Sequence, residues 1–219
     1  VYSEGRADFR RRDGTLSTTM EVVVSPEEDA ELRRVTLRNE GARERLVEVT
    51  SYAEVVLATP DADAAHPAFQ KLSVRTEHDP STGALLATRR RRSPDEPEVW
   101  AGHVAAVEGR TEGPDQLETD RARFLGRGRD PRRAAAVHEG RPLSGTTGPV
   151  LDPIFSLRRT LRIAPGGTAR ITFTTVAASS RKETRDRAEA HRDPAAFDRA
   201  AGLAWTQARV QLQHLGVSP

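Results

Sequence analysis

Apolar and polar residues alternate with period two along most of the chain from Val1 to about Ser179, and turn residues punctuate the alternation. Such a pattern predicts antiparallel strands that turn one face toward a core. Met20–Val24 and Glu31–Arg38 read as short strands separated by Ser25-Pro26-Glu27-Glu28-Asp29. Asn39-Glu40-Gly41 reads as a hairpin-type turn into a long strand, Arg45–Leu57, with Val47, Val49 and Val55 on one side and Tyr52 and Val56 on the other. Leu72–Glu77 and Ala84–Arg90 flank Asp79-Pro80-Ser81-Thr82-Gly83 as strand, turn and strand. Ile154–Ile163 and Ala169–Val176 are joined by Pro165-Gly166-Gly167, where proline presets φ and glycine supplies the left-handed position of a tight turn.

Two intervals break this rhythm. Thr59–Gln70, with Pro60, His66 and Pro67, predicts a connection rather than a strand. Gly126–Pro149 is rich in glycine and proline, and a loop of that length inside a compact domain is usually functional or disordered. After Ser179 the period becomes helical. Ser180-Arg181-Lys182-Glu183 is a capping box, and Asp193-Pro194 offers an N-cap followed by proline at the first helical position. Beyond it Phe197, Ala201, Ala204, Trp205, Ala208, Leu212 and Leu215 form one apolar stripe that needs the strands, or a following domain, to lean on. The predicted organisation is a β domain over residues 1–179 and a helical segment over 180–219. The only methionine is Met20, and Val1 already reads as strand sequence, so the chain is expected to be a domain of a longer protein.

Charge changes the picture less than the pI of about 9.5 suggests. The formal net charge is only +2. Lys71 and Lys182 are the only lysines, and arginine keeps its proton above about pH 12, so a nearly balanced chain still titrates as basic. Charge balance argues against a broad footprint for nucleic acid, and no nucleic-acid partner is predicted. No stretch approaches the roughly 18 apolar residues of a membrane span, so no membrane contact by this segment is predicted. The absence of cysteine removes disulfides, thiol catalysis and thiolate metal sites.

Candidate chemistry is sparse. His66, His78, His103, His138, His191 and His214 share no close spacing, whereas a metal site wants three or four convergent ligands; no metal and no cofactor are predicted. His103, near Trp100 and Val104 in a strand, reads as a partly buried structural residue. Ser144-Gly145-Thr146-Thr147-Gly148 lacks both the nucleophile elbow and the lysine of a phosphate loop, and Gly126-Arg127-Gly128-Arg129 lacks the third glycine of a dinucleotide fingerprint. Asp115, Glu118, Asp120 and Asp152 are too few among many carboxylates to single out a glycosidase pair. No catalytic residue is predicted. Arg89–Arg92 is followed by acidic residues and reads as balanced surface. Arg121, Arg123, Arg127, Arg129, Arg132 and Arg133 surround Phe124; guanidinium beside an aromatic ring suits phosphate, sugar hydroxyls or a carboxylate-rich neighbour, and equally a solvated loop pairing with Glu118 and Asp120. Trp100 suits either a sugar face or the core.

Thr50-Ser51-Tyr52-Ala53-Glu54-Val55-Val56-Leu57 followed by His66-Pro67-Ala68-Phe69-Gln70-Lys71-Leu72 resembles the N-terminal sandwich of family 94 glycoside phosphorylases, most of all the phosphorylase-like part of cyclic β-1,2-glucan synthases. Glu118–Arg129, Leu151–Arg158 and Ala204-Trp205-Thr206-Gln207-Ala208 agree in collinear order. The resemblance implies a mainly β chain: an antiparallel β-super-sandwich, galactose-mutarotase-like, followed by C-terminal linker helices that lead to an (α/α)6 catalytic barrel. The barrel, with its general-acid Asp and phosphate site, has no counterpart here, so no catalytic residue carries over. The implied role is a non-catalytic scaffold shaping the sugar site of the barrel, with Arg123, Phe124, Arg127, Arg129 and Trp100 as candidate carbohydrate- or barrel-facing residues. The expected partners are that barrel, a β-glucan oligosaccharide and a second copy in a homodimer; the alternative is a purely structural docking module. The implied location is the bacterial cytoplasm, with the parent protein anchored in the inner membrane through a glycosyltransferase.

Overall fold

A computed structural model describes residues 1–217. The chain enters through a meander of antiparallel neighbours, β1 (Tyr2–Ser3), β2 (Arg6–Asp13), β3 (Leu16–Val24) and β4 (Ala30–Asn39). It then crosses to a second layer with β5 (Arg45–Thr50) and β6 (Ala53–Glu54). Two short helices follow, α1 (Pro60–Ala65) and α2 (Pro67–Lys71), then β7 (Val74–Asp79), β8 (Ala84–Arg89), β9 (Trp100–Glu108) and β10 (Arg110–Asp120). Next come α3 (Arg121–Leu125), a 3-10 turn at Pro131–Arg133, α4 (Ala135–His138) and β11 (Gly148–Pro149). β12 (Pro153–Ile163), β13 (Thr168–Ala178), α5 (Arg181–Ala190) and α6 (Ala195–His214) complete the path.

Nine strands form a large sheet in the order β1-β2-β3-β4-β13-β9-β8-β7-β11, and β10-β12-β5 with β6 beside β12 form a small one. The predicted antiparallel sandwich with C-terminal helices is the observed architecture. Residues 218–219, the end of the predicted helical segment, lie outside the described residues. Among the described residues no helix is long and apolar enough to cross a membrane.

The large sheet is covered on both faces. Leu37, Leu85, Ala87, Ile171 and Phe173 meet Phe155, Leu157, Leu161 and Ile163 of β12 to form the sandwich core. On the opposite face Val23, Ala30, Leu32 and Val176 pack against Phe197, Ala200 and Ala204 of α6, while Ala84, Leu86 and Val104 pack against Ala188 of α5. Burial on two faces explains why Ala84–Ala87 is an unbroken apolar run instead of an alternating one. Leu32, Leu85, Leu86, Phe155, Leu157 and Leu161 are all at most 1% exposed, each stabilising the fold by about 1.5–3 kcal/mol.

Two turns behave differently from the pattern. Asn39-Glu40-Gly41 closes no hairpin: β4 belongs to the large sheet and β5 to the small one, so the turn carries the chain between layers. Pro165-Gly166-Gly167 is a tight turn, with Gly166 at φ +69° and the Gly167 amide donating to the Ala164 carbonyl at 2.9 Å, but it too crosses from one sheet to the other. The long strand Arg45–Leu57 breaks at Ser51-Tyr52 into β5 and β6. Thr59–Gln70 is a connection, as expected, and contains α1 and α2, each opened by a proline.

The helix signals mark real caps. The Ser180 hydroxyl accepts from the Glu183 amide at 3.2 Å, while the Glu183 carboxylate reaches back one residue further than a standard box, to the Ser179 amide. Asp193 accepts from the Ala195 amide at 3.0 Å with Pro194 already at helical angles. Only the first half of the α6 stripe is buried: Trp205 is 47% and Leu215 76% exposed. Gly5, at φ +71°, passes so close that a Cβ there would stand 2.8 Å from the Ala204 carbonyl carbon, which holds the β1–β2 turn against the buried half.

Candidate functional site

The interval Gly126–Pro149, an open loop by its composition, is a folded cap over the outer face of the small sheet. Phe124, Leu125, Ala134 and Ala136 form a buried cluster on Ile154 of β12, with Tyr52 and Leu143 at its margin. Buried charges tie the cap down. Arg158, 1% exposed, projects from β12 and donates to the Ala136 carbonyl at 2.6 Å, the Arg141 carbonyl at 2.9 Å and the Thr50 hydroxyl at 2.9 Å. Glu118, also 1% exposed, accepts from the amides of Thr119 and Asp120 at 3.0 Å, and from the amide and hydroxyl of Ser144 at 3.2 and 2.5 Å. Gln116 accepts from the Leu143 amide at 2.9 Å, and the Thr119 hydroxyl donates to the Thr146 carbonyl at 2.8 Å. Buried ions satisfied this fully hold backbone in place, because losing any one bond leaves an unpaired group in a dry site.

The cap's outer surface is therefore positioned. Arg129 pairs with Glu139, which also meets Arg141 at 2.5 Å, and Arg123 lies 3.6 Å from Asp120. Arg127, Arg132 and Arg133 are exposed and form no ion pair among the described residues. Gly128, Arg129, Asp130, Arg132, Arg133 and His138 line a hollow of about 530 Å³. The predicted pairing of the arginine cluster with Glu118 does not form, since Glu118 faces inward to amides.

Beside the cap, five side chains from four separate stretches converge. Arg121 donates to the Tyr52 hydroxyl at 3.1 Å, to Glu54 at 2.9 Å and to Asp152 at 3.3 Å. Lys71 reaches Asp152 at 2.7 Å and Glu54 at 3.5 Å, and the Tyr52 hydroxyl donates to Glu54 at 2.9 Å. Burial, and then the Glu54 carboxylate, push the Tyr52 phenol up to about 12. Against the upward push of its own partial burial, Tyr52 and Arg121 hold the Glu54 carboxyl below its usual range. A carboxylate held ionised in this way is no general acid at neutral pH, and its ion pairs tie β6, α2, α3 and the Asp152 turn together.

A third constellation lies between the layers. A groove of about 620 Å³ opens beside β5, over Met20, Val24, Val35 and Phe173 of the large sheet, with His103 in its wall. His103 is 3% exposed and stacks between Phe155 and Phe173 at 5.8 and 5.9 Å. Its Nε2 meets the Ser51 hydroxyl at 2.8 Å and its Nδ1 the Thr175 hydroxyl at 2.9 Å. Burial, and then the charges of Arg33 and Arg159, drive its pKa down to about 3, so the ring is neutral. The Ser51 oxygen accepts from the Leu157 amide at 2.9 Å. Serine and histidine here pin one sheet to the other.

The structure thus brings Arg123, Phe124, Arg127 and Arg129 into one cap and leaves Trp100 elsewhere. Phe124 is 3% exposed with its ring 5.1 Å from Tyr52, so it supports the cap from inside. Trp100 is half-buried on the helix side of the large sheet, near α5, and its indole N–H donates to Glu98 at 2.5 Å. Arg89 pairs with Glu96 at 3.1 Å, in keeping with a locally balanced surface. Sequence inspection passed over Arg158 and read Glu118 only as one carboxylate among many and as an ion-pair partner for the arginine cluster. The one signal for Arg158 was position: it interrupts the apolar run of β12 on the face that the cap covers.

The sequence profile described as glycosyl hydrolase 94, supersandwich domain, matches residues 1–194. Cyclic beta-(1,2)-glucan synthase NdvB of Rhizobium meliloti (strain 1021) is 41% identical over 217 residues, 99% of this chain and 8% of that protein. A solved protein assigned as a kojibiose phosphorylase, from the human microbiome, superposes with a TM-score of 0.55 at 7% identity over 95% of this chain and 23% of its own, a likeness of fold. The chain spans less than a tenth of NdvB and about a quarter of the phosphorylase.

Proposed function

The chain belongs to the glycosyl hydrolase 94 supersandwich family, and on that premise we propose that it is a non-catalytic scaffold of a glucan-active enzyme, turning its arginine cap toward an adjoining catalytic barrel. On this reading the sandwich is residues 1–179, with 180–219 leading to the barrel, in a parent protein at the cytoplasmic side of a bacterial inner membrane. One observation carries the proposal. Buried Arg158 and Glu118 bond the cap to the small sheet while Arg127, Arg132 and Arg133 stand outside it, exposed and without an ion pair among the described residues. Guanidinium groups so mounted suit the carboxylates and sugar hydroxyls of a neighbouring site.

Titration of the 219-residue chain with β-1,2-glucooligosaccharides is expected to give at most millimolar affinity, as for a few polar contacts without a closed pocket. Turnover of a glucan with phosphate by this chain alone overturns the scaffold role. In the longer polypeptide, R127E/R132E/R133E is expected to lower kcat/KM about tenfold or more; unchanged kinetics would place the barrel elsewhere.

A second role rests on α6, whose outer half exposes Leu203, Trp205, Val210 and Leu215. A docking module using that face self-associates in solution, and sedimentation as a monomer at high concentration counts against it.

A further inference from the structure

Two neighbouring arginines of β12 are buried on opposite faces of the small sheet and are served very differently. Arg158 points out under the cap and gives its donors to three acceptors. Arg159, 7% exposed, points inward on the face of Leu157 and Leu161, and its one hydrogen bond among the described residues runs from Nη1 to the carbonyl of Arg158 at 2.9 Å. Asp115 stands 2.9 Å from Nε, but that carboxylate is 67% exposed. Nη2 donates to no group among the described residues. Burial pulls the Arg159 pKa down, and the Asp115 charge, which pulls the other way, restores only part of the loss. A guanidinium carries five N–H donors, and those left unmatched out of water cost free energy.

Other donors face the same space. Thr82, Gly83, Thr111, Asp115, Arg159 and Arg192 line a hollow of about 370 Å³ between the β7–β8 turn and the first half of β10, and Asp115 is the single carboxylate in its lining. The Thr82 oxygen accepts from the Ala84 amide at 3.2 Å, which leaves the hydroxyl proton to donate. Arg192 reaches the Ser81 carbonyl at 3.4 Å and Glu189 at 3.2 Å through Nη1 alone. One wall is fixed from behind, because Arg185 of α5 donates to Asp79 at 2.8 Å and to the Ser81 hydroxyl at 3.0 Å. The other is a bulge: Gly113-Pro114-Asp115 stands between the pairs Glu112–Thr160 and Gln116–Arg158, opposite Arg159 alone, with Gly113 at φ +70°. Bulges re-aim side chains, and this one turns Asp115 onto the Arg159 guanidinium.

We propose that the hollow beneath the β10 bulge is a binding site for one small oxoanion, a phosphate or the carboxylate of a small organic acid, held on the free edge of Arg159 with Thr82, Thr111 and Arg192 around it. A planar guanidinium can take two oxygens of such a group at once. Asp115 holds part of the same charge and so sets the affinity of the site. The demand for an anion arises from a side chain that β12 itself buries, so it does not depend on which outer faces of the sandwich other domains cover. The site lies across β12 from the cap and is independent of the scaffold role.

The test is a nitrogen–proton NMR titration of the 219-residue chain at constant ionic strength, with inorganic phosphate in one arm, acetate in the other and chloride as the balancing ion. Phosphate, acetate or both should shift the Arg159 Nε–H and the amides of Gly83 and Thr111 with a dissociation constant of about 1 mM or tighter, and the responding arm identifies the ligand. Asp115→Asn is expected to tighten that binding about fivefold by removing the competing charge. Asp95→Asn, the same change of charge in the exposed loop after β8, should leave it unaltered. Arg159→Lys keeps the charge and loses the fork, and binding should weaken roughly tenfold or more. If Arg159→Lys does not fold, the two aspartate variants decide. Shifts confined to Arg127, Arg132 and Arg133, no saturation by about 20 mM of either anion, or equal affinities in Asp115→Asn and Asp95→Asn would overturn the proposal.

Discussion

The carboxamide of Asn39 donates to the carbonyl oxygen of Ile163 across 3.1 Å, joining positions 124 residues apart at the corner where both sheet-crossing turns meet. The same NH2 group donates to the carbonyls of Arg43 at 2.7 Å and Ala164 at 3.2 Å, and Oδ1 accepts from the Gly41 amide at 3.1 Å. Backbone bonds from Asn39 to Gly167 and from Gly166 to Asn39 complete the joint. Asn39→Ala is expected to cost about 2–4 kcal/mol in urea denaturation, because it leaves buried carbonyls unpaired. Asn39→Asp should cost more, since it turns an acceptor toward those carbonyls. A loss below about 0.5 kcal/mol would mean that water replaces the side chain.

His103 gives the protein an acid limb. Its folded pKa of about 3 lies below the ordinary 6.5. Both states are neutral above the higher value, and stability is lost as pH falls below it, because only the unfolded chain takes up the proton. Thermal denaturation across that window should lose up to about 1.4 kcal/mol per pH unit from this group. In His103→Gln the slope should flatten although the variant is less stable at neutral pH. An unchanged slope would assign the acid limb to other groups.

Asp79 adds a lower window. It accepts from the Ser81 hydroxyl at 2.7 Å and the Ser81 amide at 3.0 Å, and meets Arg185 of α5 at 2.8 Å. Against the upward push of burial, these contacts hold its carboxyl at about 2. Its contribution is present above 3.8 and lost as pH falls toward about 2. Arg185→Gln should raise the Asp79 pKa in a carboxyl NMR titration; an unmoved value would credit the Ser81 turn alone.

Arg158→Met keeps an unbranched apolar stem and removes the donors to Ala136, Arg141 and Thr50. Amides of the Ala134–Thr146 segment should then exchange at least about tenfold faster while those of β13 keep their protection. Equal loss in both would mean that the cap and sandwich unfold as one unit.

Local order was legible because it is written in local spacing. Alternation in Glu31–Arg38 and Ala169–Val176, the Ser180 and Asp193 caps and the glycines after Pro165 each act within a few residues, so strands, helix starts and turns follow from neighbours alone. Which sheet a strand joins depends on partners far along the chain. Asn39-Glu40-Gly41 has the chemistry of a hairpin turn, and only its fusion with the Ile163–Gly167 corner makes it a passage between layers. The cap was hidden for the same reason: Arg158 and Glu118 look like surface charges until carbonyls and amides from the Ala136–Ser144 segment fold over them, and desolvation then makes them its anchors. Periodicity determined which residues are apolar on which face; only the tertiary structure decided which faces are covered, because burial is a property of two surfaces and a sequence pattern describes one.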